Sequence, residues 1–132
     1  MKYFSIDEAE AFIPKLKEAS DRIGIIRTHA DRKLKEFNHL KKTPDANLVE
    51  TAIARSQLEF LVLQMKDQLQ EITDAGAIPK RLNPCQVDFP AKINGRKIYL
   101  CWKQGDERIS HWRDPRKAGS GRKPISARPF SQ

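Results

Sequence analysis

The sequence predicts an α+β fold: a long antiparallel helical hairpin, a small three-stranded antiparallel β-meander, and a basic C-terminal extension. Three observations predict it. Apolar residues recur at steps of three and four through residues 1–42 and again through 43–76. The period changes to two across residues 85–112, around Asn94-Gly95. Residues 113–132 are then rich in Gly, Pro, Ser and base. A chain of 132 residues suits one domain, here read as 1–132.

Helix 1 has a start signal. Ser5 followed by Glu8 forms a capping box, in which each side chain accepts a hydrogen bond from the other's otherwise unpaired amide. Pro14 falls two turns later, so a kink or break is expected there. Phe12, Leu16, Ala19, Ile23, Ile26, Ala30, Leu34, Phe37 and Leu40 then form a packing stripe. Thr43-Pro44 reads as an N-cap followed by proline at the first helical position. Helix 2 follows, with Ala54, Leu58, Leu61, Met65, Leu69 and Ile72 as its seam. Gly76 caps it in a left-handed conformation and Pro79 stops continuation. A second apolar edge (Ile53, Phe60, Val62, Leu63) is wider than one partner helix can cover. Either the sheet or a second copy of the chain must hide it, so a homodimer through the hairpin is expected.

In the meander, pairing Ile93 with Arg96 around Asn94-Gly95 sets Ala91 against Ile98, Phe89 against Leu100, and Val87 against Trp102. All six then share one side, as a correct register demands. Pro90 falls opposite Tyr99, which suits an edge strand. A second tight turn at Gly105-Asp106, pairing Gln104 with Glu107, would place Ile109 against Trp102 and His111 against Leu100. The other face would then carry Asp88, Tyr99, Cys101, Ser110 and Trp112, flanked by Lys97, Lys103 and Arg108.

Charge is uneven. The net value is +8, yet residues 1–82 hold 14 bases and 13 acids, whereas residues 83–132 hold 11 and 4. An electrostatic partner should meet the C-terminal third. The longest fully apolar run is Phe60 to Leu63, too short for a membrane span. The acidic N-terminus MKYFSIDEAE lacks the apolar stretch of a signal peptide, and Cys85 and Cys101 are too few for a disulfide framework. A reducing cytoplasm is expected.

Tyr3-Phe4-Ser5 with Glu8-Ala9 and Ile13-Pro14 opens a run of motifs. Val87-Asp88-Phe89-Pro90-Ala91, Gly95, Tyr99-Leu100-Cys101-Trp102-Lys103 and Gly105 follow in order, then Trp112, Gly121-Arg122 and Pro124-Ile125. Across residues 2–125 the chain resembles a small bacterial family, domain of unknown function 2203. The resemblance implies no activity. It differs from the family pattern in having Asp106 where the family has glutamate, and Arg113 where histidine commonly follows the tryptophan.

Candidate chemistry concentrates on the polar sheet face. A catalytic thiol needs a cation or base to lower its pKa, and Asp88 beside Cys101 works the other way, so Cys101 reads as a packed hydrophobe. Cys85, Cys101 and His111 match no zinc spacing, and His29 and His39 face nearly opposite sides of helix 1; no metal or cofactor is expected. Asp88 either orients a ligand or pairs with Arg108, Arg113 or Arg122. Tyr99 and Trp112 either cover a tail or helix or form a stacking platform, which with the bases of residues 97–128 would suit single-stranded nucleic acid. Paired-carboxylate, Ser-His-Asp and phosphate-loop signatures are absent. The residues expected to meet a ligand or partner are Asp88, Tyr99, Cys101, Lys103, Asp106, Trp112 and Arg122. A non-catalytic binding or protein-interaction module is the leading reading; a nucleic-acid binder, and then a small enzyme at Asp88, Tyr99 and Cys101, are its alternatives.

Overall fold

The computed structural model describes residues 2–43, 45, 47–116 and 121–125. Two helices, α1 (Ile6–Lys42) and α2 (Leu48–Asp74), precede strands β1 (Ile78–Leu82), β2 (Cys85–Ile93), β3 (Arg96–Lys103), β4 (His111–Arg113) and β5 (Lys123–Pro124). The residues divide into two compact units: those up to Ser20 together with those from Glu71 onward, and Asp21–Gln70.

The second unit is the helical hairpin. Arg22 Nε donates to Gln68 Oε1 at 2.7 Å, and the Arg55 guanidinium lies 5.5 Å from the Phe37 ring, so the two helices run antiparallel. Ala54 is buried, and Leu58, Leu61 and Met65 are half-buried, as their seam requires. Ile53, Phe60, Val62 and Leu63 remain exposed.

The helix ends follow local chemistry. Glu8 N–H donates to Ser5 Oγ at 3.0 Å and Ser5 N–H to Glu8 Oε1 at 3.2 Å, closing the capping box. Asp7 and Glu8 in the first turn, and His39, Lys41 and Lys42 in the last, complement the helix dipole. At the end of α2, Gly76 (φ 99°) donates to Thr73 O and Ala77 to Ile72 O, the bond pair of a Schellman motif.

Two helix expectations are corrected. Of the kink or break expected at Pro14, the break does not occur: α1 is one 37-residue helix. The proline is solvent-exposed, and Ile13 and Leu16 beside it are buried, so packing holds the turn whose hydrogen bond is lost. Nor does Thr43 cap α2. Its hydroxyl and amide bond back to His39 O and Leu40 O at the end of α1, while Asn47 Oδ1 accepts from Val49 N–H at 2.8 Å and caps α2 instead. Pro44 lies outside the described residues.

The first unit is a five-stranded antiparallel sheet, ordered β1-β2-β3-β4-β5. Val87, Phe89, Ala91, Ile98, Leu100 and Trp102 line one face and bury Ala9, Ile13, Leu16 and Ala19 of α1 with Ile72 of α2. Phe4 and Phe12 meet Phe89 edge to face, at 5.0 and 6.2 Å between centroids. The β2–β3 register is the expected one, from Val87↔Trp102 to Ile93↔Arg96 around Asn94 (φ 51°) and Gly95 (φ 76°).

The meander is larger than expected. Residues 78–82, where the sequence predicts only a helix stop at Pro79, form β1: a proline is tolerated on the outermost strand, where its missing donor would face no neighbour. β2 is therefore not an edge strand. Pro90 is accommodated because β1 pairs only with Cys85–Asp88, and Phe4 N–H donates to Pro90 O at 2.7 Å on the side away from β3. The ring nitrogen lies on that same side, so the β2–β3 ladder loses nothing.

The β3–β4 register is corrected by one residue. Leu100 faces Trp112 and Cys101 faces His111. The turn is not a two-residue hairpin: Asp106 N–H closes it on Lys103 O at 2.8 Å, with Gly105 at φ 103°, and residues through Ser110 form a loop. One residue of slip moves every side chain of the strand to the opposite face. Trp112 therefore belongs to the core, 2% exposed, and His111 moves to the polar face. Ile109, expected in a strand, is buried from the loop. Part of the expected tail also joins the sheet, since β5 pairs with β4 and Ile125 N–H donates to Ser110 O at 2.9 Å. Residues 117–120 and 126–132 of that extension lie outside the described residues.

Candidate functional site

Alternation along β2 and β3 turns Gln86, Asp88, Tyr99, Cys101 and Lys103 to the face opposite the core. All of these but Tyr99, together with Lys80 and Arg81 of β1, Trp102 of β3, Arg113 of β4 and Arg122, line a pocket of about 280 Å³. Five of these side chains are cationic and one, Asp88, is a carboxylate.

Asp88 is 5% exposed and accepts from Arg113 Nη2 at 2.7 Å. This pair crosses β3, which lies between the two strands. The hydrogen bond to Asp88 raises the Arg113 pKa further. Asp106, at the β3–β4 turn, holds the second arginine: Arg122 Nη2 reaches its Oδ2 at 3.0 Å and His111 Nδ1 at 3.1 Å. The Ser110 hydroxyl lies 2.9 Å from the same ring nitrogen. Each arginine is thus aimed by an aspartate, and its guanidinium charge faces the pocket that both arginines line.

Cys101 is not an activated thiol. Burial pushes its pKa up to about 12, and the charge of Asp88 and the thiol's hydrogen bond to it push the same way. Cys85 lies on the opposite, apolar face, where burial also raises it. The two thiols and His111 therefore form no common site, and among the described residues no three His, Cys, Asp or Glu side chains converge as a metal site needs. His29 and His39 are both exposed on α1.

Tyr99 is half-buried and occupied. Arg113, Lys97 and Lys80 lie 5.0, 5.3 and 5.9 Å from its ring centroid. The sequence places Trp112 beside it, either to cover a tail or helix or to form a stacking platform, and the register moves it into the core instead. Of the expected residues, the structure brings together Asp88, Cys101, Lys103 and Arg122, with Tyr99 and Asp106 at their margin. The sequence reading missed Lys80 and Arg81, because β1 itself was missed. It also missed Asp114, 1% exposed, which accepts from Arg96 Nη2 at 3.0 Å and whose pKa the Arg116 backbone N–H lowers.

A family model described as an uncharacterized conserved protein, DUF2203, matches residues 2–125. The chain belongs to this family. The DUF2203 match takes in both helices and the whole described sheet, including every residue of the pocket. No curated protein and no solved structure matches the chain. Among the described residues, no helix is long and apolar enough to cross a membrane.

Proposed function

We propose that this DUF2203 chain is a non-catalytic binding module whose polar sheet face takes up carboxylates of an acidic segment on a protein partner. One observation carries the reading: a pocket on the polar face of the sheet, lined by Lys80, Arg81, Lys103, Arg113 and Arg122 around a single carboxylate that is already paired. Excess positive charge around the pocket favours an anion, and arginines already aimed by Asp88 and Asp106 lose little freedom on binding it. The thiol is protonated at neutral pH and both local aspartates hold arginines, so the groups present suit recognition better than bond-breaking. Cys85 and Cys101, unpaired on opposite faces of the sheet, fit a reducing cytoplasm.

Nucleic acid is the weaker reading, because a stacking platform needs an open aromatic face. Trp102 and Trp112 are buried, and Tyr99 is ringed by cations. Fluorescence anisotropy of a labelled poly-glutamate peptide and of single-stranded DNA and RNA, titrated with the full chain across a salt series, separates the two. Peptide binding that weakens at least tenfold in Arg81→Glu/Lys103→Glu supports the reading. Tighter binding of the nucleic acids, or no loss in that variant, overturns it.

A further inference from the structure

Helix α2 carries two apolar seams. Ala54, Leu58, Leu61 and Met65 form the first and are covered within the hairpin. Val49, Ile53, Phe60 and Leu63 form the second, with Ser56 completing a strict four-three-four-three spacing. The four apolar residues of this second seam are 64%, 52%, 60% and 57% exposed. We propose that two copies of the chain dock through this second seam, α2 against α2 in antiparallel orientation, around a two-fold axis beside Leu58.

The spacing specifies the kind of occupant. A seam repeating every 3.5 residues is matched by another helix with the same repeat, and a second copy supplies one. The pattern is also complementary to itself. With the axis at position 58, Ile53 meets the partner's Leu63, and Phe60, the largest side chain, meets the partner's Ser56, the smallest. Two-fold symmetry then makes each contact twice. Between Thr51 and Met65 the charged residues are Arg55 and Glu59, and neither occupies a seam position; beyond Leu63 the seam reaches Asp67, which faces the partner's Val49 and ends the apolar contact there. Leu48, 84% exposed, extends the apolar surface at one end. Together these side chains offer on the order of 500 Å² per copy and about 1,000 Å² in total, the lower bound for a specific interface.

Sedimentation equilibrium of the full chain at tens of micromolar should give twice the 15.2 kDa chain mass. Phe60→Glu should return it to one chain mass with unchanged helical circular dichroism. Orientation is tested by cysteine cross-linking, since Cys85 and Cys101 are buried. Glu59→Cys lies beside the axis and should link to itself on mild oxidation. Val49→Cys, held roughly 25 Å from its own copy, should not. A single-chain mass for the unaltered protein, a dimer that survives Phe60→Glu, or linking through Val49→Cys in place of Glu59→Cys would each overturn the proposal. If Phe60→Glu fails to fold, the cross-linking pair decides.

Discussion

Arg113 and Asp88 stand 25 residues apart in the chain and meet at 2.7 Å across the intervening strand β3. The two partners are unequal. The Asp88 side chain is 7% exposed and that of Arg113 29%, so the carboxylate depends on the guanidinium far more than the reverse. The same bond aims an arginine into the pocket.

That inequality has a measurable consequence. Arg113→Ala leaves a buried carboxylate without its charged partner and should cost about 2 kcal/mol in urea unfolding. Asp88→Asn leaves an arginine that still reaches water and should cost about 1 kcal/mol or less. Equal losses in the two variants would show that the pair is not the asymmetric contact described.

The β3–β4 register predicts where Trp112 sits in solution. Trp112 and Trp102 are both buried, so the native fluorescence should be blue-shifted and resist acrylamide quenching. Trp112→Ala should destabilise the fold by about 4 kcal/mol, as loss of a core indole does. A quenchable Trp112, or a near-neutral substitution, would return it to the polar face.

The Cys101 thiol predicts an alkaline dependence. In the unfolded chain it ionises near its usual value, about 9, whereas in the fold it keeps its proton to about 12. Over that interval the native state binds the extra proton, so its contribution to stability is complete below pH 9 and is lost as pH rises towards 12. Cys101→Ala should flatten the fall in stability over this window compared with the unaltered protein. Ellman's reagent should label neither cysteine at pH 8 in the native protein and both in urea.

Two glycines with positive φ should respond differently to alanine. At Gly76 (φ 99°) an added Cβ would lie 3.2 Å from Lys2 Cβ and 3.4 Å from Phe4 Cε1, and the Schellman cap needs that conformation. Gly105 (φ 103°) has open space around it and would suffer the backbone strain alone. Thermal unfolding should show Gly76→Ala losing about 2 kcal/mol and Gly105→Ala about 1 kcal/mol. The reverse order would contradict the crowding at the α2 cap.

Much of this fold is legible in the chain because its cause is local. Ser5 and Glu8 start α1 and Gly76 ends α2 through bonds spanning a few residues. Asn94-Gly95 sets the β2–β3 register, since a two-residue turn allows one pairing and the apolar alternation agrees with it. The polar face bearing Asp88, Cys101 and Lys103 follows from that register. Only the tertiary structure decided the rest. Pro14 sits inside an unbroken helix because its buried neighbours pack against the sheet, and β1 exists because β2 offers it a free edge. The β3–β4 register depends on how the loop closes: Trp102 Nε1 donates to Asp106 O at 3.0 Å and Lys103 N–H to Asp106 Oδ2 at 3.0 Å. A loop one residue longer or shorter looks the same in composition yet inverts the strand. That inversion took Trp112 into the core and brought Arg113 to Asp88, which residue types and spacing alone do not decide.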